Sequence, residues 1–264
     1  MCLHAVMNPA PVLEPVIDLG GQVALVTGAS SGLGRRFAVL LAANGARVVA
    51  TGRRMERLAE VAQEITDAGG TCLPLQLDVT AADQLAAVVA TAEEQLGPVQ
   101  ILVNNAGIPD AQYATKMPLE LVDQVFDTNL RAPYVLSCEV ARRLIELKLP
   151  GRIINISSTG AFQYSGTGAA LYSITKAGVN RLTETLAVEW SRFNINVNAI
   201  APGLFASEMS DGMIERMGDL TRHFPRKRIG QPENLDSTVL YLLSPASEMV
   251  TGTIIKVDDG QGGR

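Results

Sequence analysis

The sequence predicts an α/β fold: a parallel sheet, doubly wound, with helices packed on both faces. Three observations carry that expectation. Short, continuous apolar runs, such as residues 23–26 and 99–103, suit strands buried on both faces of a parallel sheet. Between the runs lie stretches with helical apolar spacing, closed by glycine or proline. The first run also leads straight into Gly28, Gly32 and Gly34, and then into Phe37, Ala38, Leu40 and Leu41 at helical spacing.

The elements follow in order. Residues 23–26 form the first strand, and a helix continues from Arg35. Residues 46–51 read as a second strand, ended by Gly52-Arg53-Arg54, and 55–68 as an amphipathic helix closed by Gly69-Gly70. A third strand over 72–77 leaves through Asp78-Val79-Thr80. Thr80 and Asp83 have the spacing of a capping pair for a helix that runs to Leu96 and stops at Gly97-Pro98. The fourth strand, 99–103, runs into Asn104-Asn105-Ala106-Gly107. A long helical region over 119–147 carries an irregularity at Pro133. Strands over 151–157, 194–200 and 252–257, and a long helix over 169–192, complete a seven-stranded sheet. This regular alternation with short turns is the signature of right-handed βαβ units. No repeat, low-complexity segment or linker divides the chain, so residues 18–264 are expected to form a single domain. Residues 1–17 read as a flexible leader, with three prolines among residues 1–16 and no basic segment like that of a secretory signal.

Strand, glycine turn and helix together aim backbone N–H groups and a positive helix end at an anion. One glycine permits the turn, one lets a pyrophosphate approach the backbone, and one lets helix pack on strand. The spacing is Gly-x-x-x-Gly-x-Gly. That is not the Gly-x-Gly-x-x-Gly of the usual dinucleotide fingerprint, and it is the cluster's place between strand and helix that points to a Rossmann-type dinucleotide site.

Composition narrows the partners. The chain has 264 residues, 47% hydrophobic and 19% charged, with a net charge of −5, which argues against a nucleic-acid backbone as partner. Cys2, Cys72 and Cys138 have neither zinc nor disulfide spacing, as suits reduced thiols in the cytoplasm. No apolar run is long enough to predict a membrane span. His4 and His223 lack a metal-ligand partner at a recognised spacing, so both are expected to face solvent and no metal is expected.

Tyr172 and Lys176 stand four apart, on one face of the predicted helix. A free phenol has a pKa of about 10. A neighbouring ammonium favours the phenolate, so this pair could exchange a proton with an alcohol oxygen near neutral pH.

Five motifs stand in sequence: residues 27–34 (Thr-Gly-Ala-Ser-Ser-Gly-Leu-Gly), Asn104-Asn105-Ala106-Gly107, Ser157-Ser158, Tyr172-x-x-x-Lys176 and Pro202-Gly203. Together they resemble the short-chain dehydrogenase/reductase family over residues 18–260. The resemblance is to bacterial 3-oxoacyl carrier-protein reductases and to ketone reductases alike. It implies hydride transfer between a nicotinamide cofactor and a carbonyl or secondary alcohol. By the same resemblance Tyr172 is the acid/base, and Lys176 lowers its pKa and holds the nicotinamide ribose. Ser158, with Ser157 as the alternative, bonds the substrate oxygen, and Asn129 anchors a water leading to the lysine. The cofactor would meet Gly28, Ser30, Ser31, Gly32, Leu33 and Gly34 at its pyrophosphate. Asp78 and Val79 would lie at its adenine, Asn105, Ala106 and Gly107 along the site wall, and Pro202, Gly203, Leu204 and Ser207 at its carboxamide. The segment 205–228, with Met209, Met213, Ile214 and Met217, matches the family's substrate lid. Val257-Asp258-Asp259-Gly260 departs from the family's Val-Asp-Gly-Gly. Relatives associate as homotetramers through two long helices and their C-terminal strands.

The competing readings are a non-catalytic dinucleotide-binding regulator, and an epimerase or dehydratase. The intact Ser158, Tyr172 and Lys176 argue against the first, and the absence of room for a separate substrate domain against the second.

A carboxylate at the end of the second strand usually holds the ribose of NAD(H). Gly52 stands there, followed by Arg53 and Arg54, so no acid is expected to repel a 2′-phosphate. A guanidinium grips phosphate through paired hydrogen bonds. The family's second basic position is Ser31. These residues predict NADP(H) preference, with Arg53 as the main contact and NAD(H) as a possible second cofactor.

Overall fold

The computed structural model describes residues 17–262, apart from 165 and 167. Cys2, His4 and residues 1–16 of the expected leader lie outside it. Ile17, the last residue of that leader, packs against the core.

Seven strands form one all-parallel sheet: β1 Val23–Thr27, β2 Arg47–Gly52, β3 Thr71–Gln76, β4 Val99–Asn104, β5 Gly151–Ile156, β6 Ile195–Pro202 and β7 Ile254–Val257. Their spatial order is β3-β2-β1-β4-β5-β6-β7. The chain runs outward from β1 to β3, then crosses back to lay β4 on the other side of β1. That reversal leaves a crevice beyond the carboxyl ends of β1 and β4, where ligands of doubly wound sheets bind.

Each central strand is buried on both faces, as its continuous apolar run demands. Ala24 and Val26 of β1 face one core layer, with Phe37 and Leu41 of α1 (Gly32–Ala43), Leu58 and Ile65 of α2 (Met55–Asp67) and Val239 of α8 (Asp236–Leu243). Val23 and Leu25 face the other. There they meet Val88 of α3 (Ala82–Leu96), Leu136 of α5 (Ala132–Leu147) and Trp190 of α6 (Ala170–Trp190). Burying one such large side chain contributes roughly 2–3 kcal/mol.

Two local expectations change. Thr80 does not cap α3: the residue before that helix, Ala81, makes no side-chain cap bond. Asp78 takes Thr80 first, accepting from its N–H at 3.0 Å and its hydroxyl at 2.8 Å, which closes a local Asx turn. The long region over 119–147 is not one helix. It divides into α4 Leu119–Phe126, a π-helical turn Asp127–Arg131, and α5. Pro133 has no N–H to give the carbonyl four residues back, that of Asn129. The ladder widens ahead of it, and the Ala132 N–H reaches the Asp127 carbonyl. The last two strands also differ in extent. β6 continues to Pro202 because β7 pairs with it from Ala199↔Ile254 to Pro202↔Val257, and β7 begins at Ile254 rather than 252.

Candidate active site

The glycine turn and the end of β4 are locked into one unit. The Thr27 hydroxyl accepts from the N–H groups of Asn105 and Ala106, each at 3.0 Å. The Asn105 side-chain amide donates back to the Thr27 carbonyl at 2.9 Å. Gly28 turns the chain at φ +67°, a left-handed conformation that favours glycine. Gly34 is fixed by space: a Cβ there would fall 2.3 Å from the Gly28 carbonyl oxygen and 2.4 Å from the Asn105 amide nitrogen. α1 begins at Gly32, and Ser31 ahead of it makes no side-chain cap bond, so no side chain competes with an anion for the first-turn N–H groups.

Beyond the strand ends lies a cleft of about 1280 Å³. All the sequence-predicted site residues line it except Gly34 and Asn129. Gly34 lies beneath the turn, where it sets the fit of helix on strand. Asn129 is fully buried. It exchanges hydrogen bonds with the Ile108 backbone, accepting from its N–H at 2.8 Å and donating to its carbonyl at 2.9 Å, and so clamps the chain leaving β4.

Tyr172 and Lys176 stand side by side on α6, the lysine Nζ 5.7 Å from the phenol ring centroid. Lys176 is buried and donates to the Ile156 carbonyl at 2.7 Å, and burial brings its pKa down to about 8. The phenol does not follow the expected direction. Poor solvation among packed protein atoms pushes the Tyr172 pKa up, a hydrogen bond with Ser158 pulls it down, and the Asp110 carboxylate adds to the upward push.

The two adjacent serines separate by direction. The Ser157 hydroxyl turns into the protein and donates to Asn180 Oδ1 at 2.6 Å. Ser158 faces Tyr172, with its hydroxyl accepting from the Gly160 N–H at 3.0 Å. Asp110, which the sequence reading passed over, is buried and accepts from the N–H groups of Leu171 at 2.9 Å and Tyr172 at 3.1 Å. It anchors the first turn of α6 and with it the phenol. Its only sequence signal is a short acidic side chain just past Asn-Ala-Gly.

At the other end of the cleft, Gly52 closes β2 beside Ser30. Arg53 and Arg54 both line this end. Arg54 is the one that reaches the glycine turn, with Nη2 2.9 Å from Ser31 Oγ and 3.1 Å from Ser30 Oγ. The expectation that no acid stands nearby is overturned. Glu208, the first residue of α7 (Glu208–Met217), places its carboxylate 2.9 Å from Arg54. Reasoning along β2 could not find an acid that arrives from 154 residues downstream.

Ser207 caps α7, its hydroxyl accepting from the Ser210 N–H at 3.2 Å. Met209 and Met213 line the cleft, and so does His223, which is exposed as expected. The far end of the lid segment is tied down too. Arg226 at 3.0 Å and Arg228 at 2.6 Å pair with Asp259, the residue that replaces a family glycine and sits at φ +51°. Those ion pairs offset the strain of a left-handed non-glycine residue.

A parallel sheet with a glycine turn at its switch point, and Tyr172 beside buried Lys176 across the same cleft, make up the frame of an NAD(P)-dependent oxidoreductase acting on a carbonyl or alcohol. The chain belongs to the short-chain dehydrogenase family, whose family model, described as short chain dehydrogenase, matches residues 22–217. It is 36% identical over 244 residues to a 3-oxoacyl-[acyl-carrier-protein] reductase of Synechocystis, covering 92% of this chain and 97% of that protein. It is 37% identical over 246 residues to 2-dehydro-3-deoxy-D-gluconate 5-dehydrogenase of Dickeya dadantii, covering 92% and 96%. Among solved structures, the actinorhodin polyketide ketoreductase with NADPH superposes with a TM-score of 0.88 at 34% identity, covering 92% of this chain and 98% of that one.

Proposed function

We propose that this protein is an NADP(H)-preferring reductase of ketones or 3-oxoacyl thioesters, with Tyr172 giving the proton to the forming alkoxide. The observation that carries the reading is the meeting of Ser158, Tyr172 and Lys176 at the wall of one cleft, with the buried Lys176 Nζ 5.7 Å from the phenol ring centroid. The cofactor fits the residues present: a turn with no room for a side chain at Gly34, an uncapped helix start and a guanidinium beyond it. A bound nicotinamide dinucleotide supplies the hydride. Ser158 bonds the carbonyl oxygen and Tyr172 donates the proton. Lys176, its ammonium fixed by Ile156, holds the ribose hydroxyls and makes loss of the phenol proton easier. Asn129 and Asp110 keep the two walls in place.

Gly52, Arg53 and Arg54 support the cofactor preference, with Arg54 joining Arg53 as a contact for the 2′-phosphate. A second reading, oxidation of a sugar acid, draws on Arg216 and His223 in the cleft wall, which could meet a carboxylate. A panel of ketones, 3-oxoacyl thioesters and sugar acids, followed by reduced-cofactor absorbance, decides between them. Turnover is expected with NADPH and the ketone set. Arg53→Ala and Arg54→Ala should each raise KM for NADPH more than for NADH. Equal kcat/KM for the two cofactors in the parent enzyme would sink the preference.

We also propose a homotetramer of single-domain subunits in the cytoplasm. Large apolar side chains lie exposed along the long helices, among them Leu119 (75% exposed), Tyr134 (51%), Ile174 (59%) and Val188 (79%). Cys72 and Cys138 are free thiols, and no helix among the described residues is long and apolar enough to cross a membrane. Light scattering at micromolar concentration should report four subunits; a stable monomer would remove the assembly proposal.

A further inference from the structure

Arg54, Ser30, Ser31 and Glu208 form a closed cluster above the end of β2. The two Glu208 oxygens lie on one guanidinium, Oε1 3.1 Å from Arg54 Nη1 and Oε2 2.9 Å from Nη2. Ser31 Oγ donates to Oε2 at 3.1 Å. Arg54 also donates to Ser30 Oγ, from Nη2 at 3.1 Å and Nε at 3.3 Å. Ser30 Oγ lies 3.6 Å from the position of a Cβ built on Gly52, which marks the cluster as the end of β2. A planar guanidinium with a hydroxyl donor beside it is the donor set of an anion site. Here it holds the chain's own carboxylate, kept below the usual range by the Arg54 hydrogen bond.

Glu208 is also the first residue of α7, whose Met209 and Met213 line the cleft. Gly32 touches the same helix start: a Cβ there would lie 3.3 Å from Ser207 Cβ. The anion site and the roof of the substrate cleft are therefore tied together by a single side chain.

We propose that Glu208 is an internal stand-in for the 2′-phosphate of NADP(H): the phosphate displaces it from Arg54 and Ser31, and this releases the start of α7. The proposal rests on the NADP(H) reading above. A 2′-hydroxyl carries no charge to compete for the guanidinium, so NAD(H) binds with the Arg54–Glu208 pair closed. A 2′-phosphate carries more charge than a carboxylate and takes the guanidinium from it. The pair is about half exposed, so solvent screens it and the competition is modest.

The test uses 2′,5′-ADP and 5′-AMP, which differ only in the 2′-phosphate. Both are titrated calorimetrically into the full chain and into Glu208→Gln, with Glu208→Ala as a second variant and thermal melts to establish folding. Hydrogen exchange is followed over residues 208–212. Removing the competing carboxylate should tighten 2′,5′-ADP by about three- to tenfold and leave 5′-AMP unchanged. In the parent chain, 2′,5′-ADP but not 5′-AMP should speed exchange over 208–212. If the parent prefers 2′,5′-ADP but neither variant changes the ratio of the two affinities, the stand-in role is overturned and the NADP(H) reading survives. Weaker binding of 2′,5′-ADP to the variants overturns it too, since Glu208 would then be assisting the phosphate. Equal affinity of the parent for both nucleotides overturns the NADP(H) reading and this proposal with it.

Discussion

Tyr172→Phe is expected to lower kcat about 10³-fold while leaving NADPH affinity within about threefold. The substitution keeps the ring, so the packing beside Gly160 and the 5.7 Å separation from Lys176 Nζ persist. It removes the proton proposed to reach a substrate oxygen bonded to Ser158. That loss corresponds to about 4 kcal/mol of transition-state stabilisation. Lys176→Met should differ in kind, damaging both kcat and cofactor affinity, because the ammonium is expected to serve phenol and ribose together. Stopped-flow or steady-state turnover, paired with a fluorescence titration of NADPH, separates the two patterns. Near-parent kcat in Tyr172→Phe would show that the proton comes from elsewhere.

The second large effect is expected at Gly34, which does not line the cleft. In Gly34→Ala the new methyl would meet the Gly28 carbonyl oxygen at 2.3 Å and the Asn105 amide at 2.4 Å. Both neighbours are backbone-anchored, so α1 must move off β1 and the Asn105 bonds to Thr27 and Gly28 must stretch. Overpacking of this kind destabilises by roughly 1–3 kcal/mol, and Tm should fall by about 5 °C. NADPH affinity should fall at least about tenfold, because the N–H groups of the turn would no longer converge. Gly212→Ala is the control: its methyl would meet Arg216 Nη1 at 3.7 Å and nothing closer, so Tm should hold or rise. A Gly34→Ala protein with parental Tm and affinity would show that the turn is not tightly packed.

Much of the molecule was legible in one dimension because the signals are local. Residues 23–26 are apolar at every step because both faces of the strand are buried, and they could not be mistaken for a half-exposed strand. Glycines at a strand-to-helix junction, and a tyrosine and a lysine four apart, keep their meaning without neighbours. What failed was also local in cause. Thr80 had two partners within reach, and Asp78 won over α3. Tyr172 was read with its lysine alone, whereas burial, aided by Asp110 and opposed by Ser158, sets its direction.

The sequence by itself determined the sheet, the glycine turn after its first strand and the placing of Tyr172 beside Lys176, since each depends on residue type at short spacing. Only the tertiary structure decided the rest. It turned Ser157 inward and Ser158 toward the phenol, although the two are adjacent and chemically identical. It brought Asp110 to the start of α6 and Glu208 onto Arg54 across 154 residues. Hydrogen-bond direction and charge contact fall off within a few ångströms. Between residues far apart in the chain, those few ångströms are set by how the layers pack.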